Sequence, residues 1–144
     1  MEKTHESFSV KESGFWVKPE LCYIGASPDA ISTCRCHGTG CVEIKCPYCA
    51  RDLTVKEAVD SSKKNFCLWK SEDGGVVLKQ NHPYWSQCQV QLYVTNFKFD
   101  DIVVWTERDV YIQRIMPDAY FMSSCLDTLK ELYVSAILPE LLAK

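Results

Sequence analysis

Residues 25–47 read GASPDAISTCRCHGTGCVEIKCP, and the fold turns on this stretch. Its middle, residues 34–40, contains Gly38 and Gly40 and sits between two strand-like runs. That pattern predicts a hairpin, with strands at 30–33 and 41–46. Residues two apart on a strand project from one face. Glu43 and Lys45 therefore point together, and Ile44 is expected to turn into the core. The antiparallel return brings this strand beside Asp29, so two carboxylates and a lysine converge at one end of the hairpin.

Working outward, residues 14–18 and 22–26 read as short strands split by a turn at Pro19 and Glu20. Residues 53–60 suit a short helix, and 66–70 can pair with 76–79 around Asp73, Gly74 and Gly75. Pro83 fits a first helical turn, with 84–95 continuing the helix and His82 at its entry. Residues 99–106 and 110–116 are expected as strands joined by a turn at 107–109. Pro117 and Asp118 open a final amphipathic helix, because Phe121, Cys125, Leu129, Leu132 and Ile137 recur at helical spacing. This order predicts an α/β fold, a central mixed sheet flanked by helices, as a single domain over residues 1–144.

Bulk properties limit the function. Hydrophobic residues make up 47% of the 144, enough for a packed core. Apolar runs are far shorter than the ~20 residues that span a bilayer, and the opening residues lack the pattern of a signal peptide. An intracellular protein without membrane contact is expected. The 16 basic residues against 19 acidic ones argue mildly against DNA binding, which favours a basic excess. An acidic pocket holding cations reconciles the two, since bound ions supply positive charge.

Asp29 and Glu43 offer the hard oxygen ligands that suit Mg²⁺ or Mn²⁺. Phosphodiester hydrolysis needs an in-line water and neutralised phosphoryl oxygens, and such ions supply both. Lys45 can orient or deprotonate that water, or stabilise charge in the transition state.

Ser27-Pro28-Asp29, Glu43-Ile44-Lys45-Cys46-Pro47, Arg51-Asp52 and Tyr84-x-x-Gln87-x-Gln89 occur in this order. The set resembles the YqaJ-like viral recombinase and lambda-exonuclease family of the PD-(D/E)xK nuclease superfamily, from about Gly14 to the last helix. The resemblance implies a restriction-endonuclease-like core. It implies Asp29, Glu43 and the Ile44 backbone carbonyl as metal ligands, Lys45 as catalytic lysine, and Gln87 as a residue positioning lysine, water or phosphate. Ser27 and Arg51 match phosphate or DNA contacts, and Gln89 reads as structural. The implied activity is Mg²⁺-dependent exonucleolytic hydrolysis of double-stranded DNA, 5′ to 3′, in recombination or DNA processing. Duplex ends are the implied partner, and related enzymes form homo-oligomers. The family carries helices before its Ser-Pro-Asp strand, whereas 28 residues precede Asp29 here. A domain lacking that N-terminal helical part is therefore expected, and a catalytically degenerate DNA-end or protein-binding module is the second reading.

Nine cysteines without a secretory signal point to free thiols or metal ligands. Cys34, Cys36, Cys41 and Cys49 form the candidate set for a structural Zn²⁺, with Cys46 and His37 nearby in sequence. Unliganded thiols are the competing reading.

Overall fold

The computed structural model describes residues 5–61 and 65–143. Along the chain run β1 (Ser9–Glu12), β2 (Trp16–Lys18), β3 (Leu21–Ala26), β4 (Ala30–Cys34) and β5 (Gly38–Lys45). There follow α1 (Val55–Asp60), β6 (Leu68–Lys70), β7 (Val76–Leu78), α2 (Pro83–Thr95), β8 (Asp100–Trp105) and β9 (Val110–Ile115). The described chain closes with α3 (Ala119–Leu132), a π turn at Tyr133–Ile137 and α4 (Leu138–Leu142). The π turn falls just before Pro139, whose missing N–H and bulky ring cannot continue ordinary helical bonding.

Five strands form the central sheet in the order β1-β4-β5-β8-β9. β5 and β8 are parallel, and the other neighbouring pairs are antiparallel. A parallel pair needs a long crossover. Residues 46–99 provide it, carrying α1, the β6–β7 hairpin and α2. β2 and β3, expected as short strands split by a turn, pair with each other in a two-stranded sheet apart from the central one. The β4–β5 turn is a three-residue loop, Arg35, Cys36 and His37, closed by Gly38 opposite Cys34. Gly38 has φ +84°, where a side chain would be strained.

β1 has no clear signature in the sequence. Ser9, Val10, Lys11 and Glu12 are exposed and carry no apolar alternation, so the free edge of β4 rather than burial holds them.

The core lies on one face of the sheet. Ile102, Val104 and Ile115 pack there against Cys88 and Leu92 of α2, with Val55 and Ala58 of α1 and Leu68 and Leu78 of the small hairpin. A second cluster joins Ile24 and Ala26 to Val94, with Leu126 and Leu129 of α3 packed on it. Phe121, Cys125 and Leu129 are half-buried as the apolar stripe requires, but Leu132 and Ile137 are exposed.

Ile44 is the main correction to the sequence reading. It is 47% exposed, whereas Glu43 beside it is 2% exposed. The helix α2 covers the face bearing Cys41, Glu43 and Lys45 (the polar positions), and no described helix covers the other. Register places Val10, Ile44, Trp105, Val110 and Ile112 on that open face, and all five are exposed.

Gly40 fixes how closely β5 approaches the start of β8. A Cβ at this position would overlap the Phe99 ring, which is buried and covered by the Arg114 guanidinium at 3.6 Å. Arg114 is itself held by two hydrogen bonds to Asp101, at 2.8 and 2.7 Å. The ring therefore has little room to yield. Gly40→Ala is expected to lower unfolding free energy by about 1–3 kcal/mol, the usual cost of overpacking. A urea midpoint unchanged from the parent would contradict this, and Phe99→Leu in the same chain should restore part of the loss.

Candidate active site

β4 begins at Ala30, which pairs with Val42. Beyond that point the backbone ladder ends, yet the next N–H of β5 aimed at β4 belongs to Ile44. Asp29 supplies the missing partner: its Oδ2 accepts the Ile44 N–H at 2.7 Å. In an antiparallel ladder a residue's N–H and C=O point to the same side. The Ile44 carbonyl therefore faces the same edge as the Asp29 carboxylate, which is exposed.

Glu43 projects from the other side of the same peptide, under α2. Its Oε1 accepts from Lys45 Nζ and, at 2.6 Å, from Gln87 Nε2. Its Oε2 accepts from Gln91 Nε2 at 2.6 Å. The four groups match a run of contacts between α2 and β5. Thr95 Oγ1 lies 3.6 Å from Cys41 Sγ, Gln91 and Gln87 reach Glu43, and the Tyr84 ring lies 4.7 Å from Lys45 Nζ. Positions 84, 87, 91 and 95 share one helical face because three or four residues complete a turn. His82 caps the helix through its side chain, accepting the Tyr84 N–H at 3.2 Å, and Pro83 occupies the first turn.

The structure thus brings Asp29, Glu43, Lys45 and Gln87 together. Ser27 is exposed at the end of β3, two residues before Asp29. Arg51 points elsewhere, pairing with Asp52 at 3.1 Å and covering the Tyr48 ring at 4.5 Å. Gln89 is structural: its side chain accepts the Asp118 N–H and donates to the Met116 carbonyl, tying α2 to the start of α3.

Two residues of this neighbourhood escape the sequence reading. Gln91 is four residues past Gln87, so the helical repeat alone could have flagged it once Gln87 was chosen. Asp100 opens β8 opposite Cys41, on the Glu43 face, and is fully buried. Its oxygens find no donor at normal hydrogen-bond geometry among the described residues, and the Cys88 thiol offers weak compensation. Burial, and then the negative charge of Glu43, push Asp100 up to about 7.

The expected zinc quartet does not assemble. Cys41 lies under α2 on the Glu43 face, and burial pushes its thiol up to about 12, far from a ready thiolate. Cys49 sits in the 3₁₀ turn Tyr48–Ala50, beyond the far end of β5 from the hairpin loop. Cys34 and Cys36 do meet, but their companions are His5 and His37.

A sequence model of the YqaJ-like viral recombinase domain matches residues 2–98, a span that includes Asp29, Glu43, Lys45, Gln87 and Gln91. The chain belongs to this family. Among solved structures it is similar to the alkaline exonuclease LHK-Exo from Laribacter hongkongensis, with 26% identity and a TM-score of 0.58. The same enzyme in complex with dAMP gives 26% identity and a TM-score of 0.56. Both alignments cover 94% of this chain and 58% of the exonuclease, so the chain spans little more than half the length of that relative. A comparison with curated protein sequences finds no match. The fold is the PD-(D/E)xK nuclease type.

Asp100 generates a stability test. Its folded-state pKa lies above the unfolded value of 3.8, so the folded state holds a proton that the unfolded chain releases between about pH 4 and pH 7. Stability from this group falls as pH rises through that window. Asp100→Asn should therefore match the parent near pH 4 and exceed it above pH 7, by no more than about 4 kcal/mol. Urea unfolding of the metal-free chain across this range measures it, and a difference independent of pH would refute the assignment.

Proposed function

We propose that this domain is a divalent-metal-dependent deoxyribonuclease acting exonucleolytically on double-stranded DNA, from the 5′ end. One observation carries the reading: Asp29 and Glu43 flank a single peptide unit at Ile44, with Lys45 beside them. Family membership and the likeness to an alkaline exonuclease support DNA as substrate. The relative's complex with dAMP supports a mononucleotide as product.

The donor set fits Mg²⁺ or Mn²⁺. An ionised carboxylate offers about four lone-pair sites. Lys45, Gln87 and Gln91 use three of those on Glu43, leaving one on Oε2. The Ile44 carbonyl and the exposed Asp29 carboxylate complete an all-oxygen set of the kind hard cations take. When bound, the cation supplies charge neutralisation at the scissile phosphate and lowers the pKa of a coordinated water.

The chain's own residues do the rest. Asp29, Glu43 and the Ile44 carbonyl would hold the cation. Lys45 Nζ, fixed beside Glu43 Oε1, orients or deprotonates the attacking water, or neutralises charge on the phosphoryl oxygens. Attack on phosphorus breaks its bond to the 3′ oxygen, which leaves with a proton, and the phosphate stays on the 5′ carbon of the next nucleotide. Gln87 and Gln91 are positioning residues, because they act through the Glu43 carboxylate. Ser27, beside Asp29, is suited to contact the substrate backbone. Arg51 could do so only by leaving Asp52.

A second reading, a module that binds DNA ends without cutting them, draws on the acidic excess of 19 over 16. Release of acid-soluble nucleotides from 5′-labelled linear duplex DNA with Mg²⁺ separates the two. Under the first reading the chain cuts, and Asp29→Ala, Glu43→Gln or Lys45→Ala each reduce the rate by about 10²–10³-fold or more. Duplex-end binding without hydrolysis, unchanged in the same variants, would favour the second.

A further inference from the structure

We propose that His5, Cys34, Cys36 and His37 bind one zinc ion that staples the N-terminal segment to the β4–β5 hairpin. The ligand atoms of these four side chains all lie within 4.8 Å of one another. The closest approaches are 3.3 Å between Cys36 Sγ and Cys34 Sγ, 3.2 Å between His5 Nδ1 and Cys36 Sγ, and 3.5 Å between His37 Nδ1 and Cys34 Sγ. Tetrahedral zinc with its usual bond lengths sets sulfur–sulfur separations of about 3.8 Å and sulfur–nitrogen separations of about 3.5 Å. These three pairs lie within a few tenths of an ångström of those values, and the remaining pairs, all within 4.8 Å, would close to the same range around one ion.

Burial does not explain the gathering. His5, Cys36 and His37 are exposed, and only Cys34 is buried. Exposed side chains lose rotamer freedom when they converge, with little apolar gain to offset it. A shared cation offsets that loss. The residues also come from distant points: His5 lies 31 positions before Cys36. It is brought there by the pairing of β1 with β4 and by the Arg35 N–H, which donates to the Glu6 carbonyl at 3.0 Å.

The hairpin loop is built for a thiolate. The His37 backbone N–H donates to Cys34 Sγ at 3.3 Å, which offsets negative charge on that sulfur. Gly38, at φ +84°, turns the chain so that Cys34, Cys36 and His37 face one point. Two thiolates and two imidazoles form a soft set that selects zinc over magnesium. All four positions are filled by protein, the mark of a structural site. This site stands apart from the Asp29–Glu43 site in both place and ligand chemistry. It lies at the loop end of β4, whereas Asp29 precedes that strand's other end. Its effect is to lock the β4–β5 register.

The test uses the full chain without an affinity tag, purified and reconstituted with zinc. Elemental analysis should find one zinc per chain. Cys34→Ser with Cys36→Ser, and separately His5→Ala with His37→Ala, should reduce zinc to background, whereas Cys49→Ser keeps it. Cobalt substituted into the parent should give tetrahedral ligand-field and thiolate charge-transfer absorption. If the variants fail to fold, the parent decides: chelation should lower its Tm, and zinc but not magnesium should restore it. A parent that takes up no zinc, a Cys34/Cys36 double variant that retains it, or a Cys34–Cys36 disulfide in its place would overturn the proposal.

Discussion

A carboxylate taken out of water must find donors or surrender its charge. Glu43 is in that position, 2% exposed beneath α2, and three side chains answer it. Lys45 comes from its own strand, and Gln87 and Gln91 come from the helix above. Each hydrogen bond to a charged group contributes about 1.5–3 kcal/mol, but its larger effect here is geometric. The pair of amides fixes the rotation of α2 about its axis and its height along β5. The same helix face carries Thr95 to Cys41 and Tyr84 to Lys45, so one charge sets the register of the whole contact.

The second acid on that face responds in the opposite way. Asp100 lacks donors at normal geometry and lies in the field of Glu43, so burial and repulsion push it up to about 7, and it keeps its proton below neutral pH. Two carboxyl groups in one buried layer thus sit in different hydrogen-bond environments, three donors on one and none at normal geometry on the other. A polar layer between sheet and helix is costly unless satisfied. Here Glu43 is satisfied by three donors, and Asp100, without them, holds its proton to a higher pH than a free carboxyl does.

The hairpin from β4 to β5 organises both ends of the domain. At one end, the Asp29 side chain replaces a lost ladder bond at Ile44, which brings an exposed carboxylate beside the strand bearing Glu43. At the other, a three-residue loop gathers thiols and imidazoles. How much of this can be read in the residues depends on the range of the forces involved. Glu43 and Lys45 follow from strand alternation, and Asp29 from an antiparallel return, so local geometry suffices. Which face is core does not follow. Ile44 looks like the inward residue because it is apolar, yet the helix packs on the side bearing charge. α2 hides its role for the same reason: its buried face carries Gln87, Gln91 and Thr95, so apolar periodicity is weak there. His5 is invisible for another reason. It reaches the cysteines through pairing of an exposed edge strand, and nothing near it in sequence marks that strand. The cysteine spacing pointed to a metal, but strand alternation sends Cys34 and Cys41 to opposite faces.

Anomalous diffraction from crystals grown with Mn²⁺ would locate the cation directly. The expected result is a peak about 2.0–2.3 Å from a carboxylate oxygen of Asp29, a carboxylate oxygen of Glu43 and the Ile44 carbonyl, distances usual for small hard divalent ions. A manganese peak away from these three groups, or none at saturating Mn²⁺ with duplex DNA present, would contradict a metal centre built on that peptide.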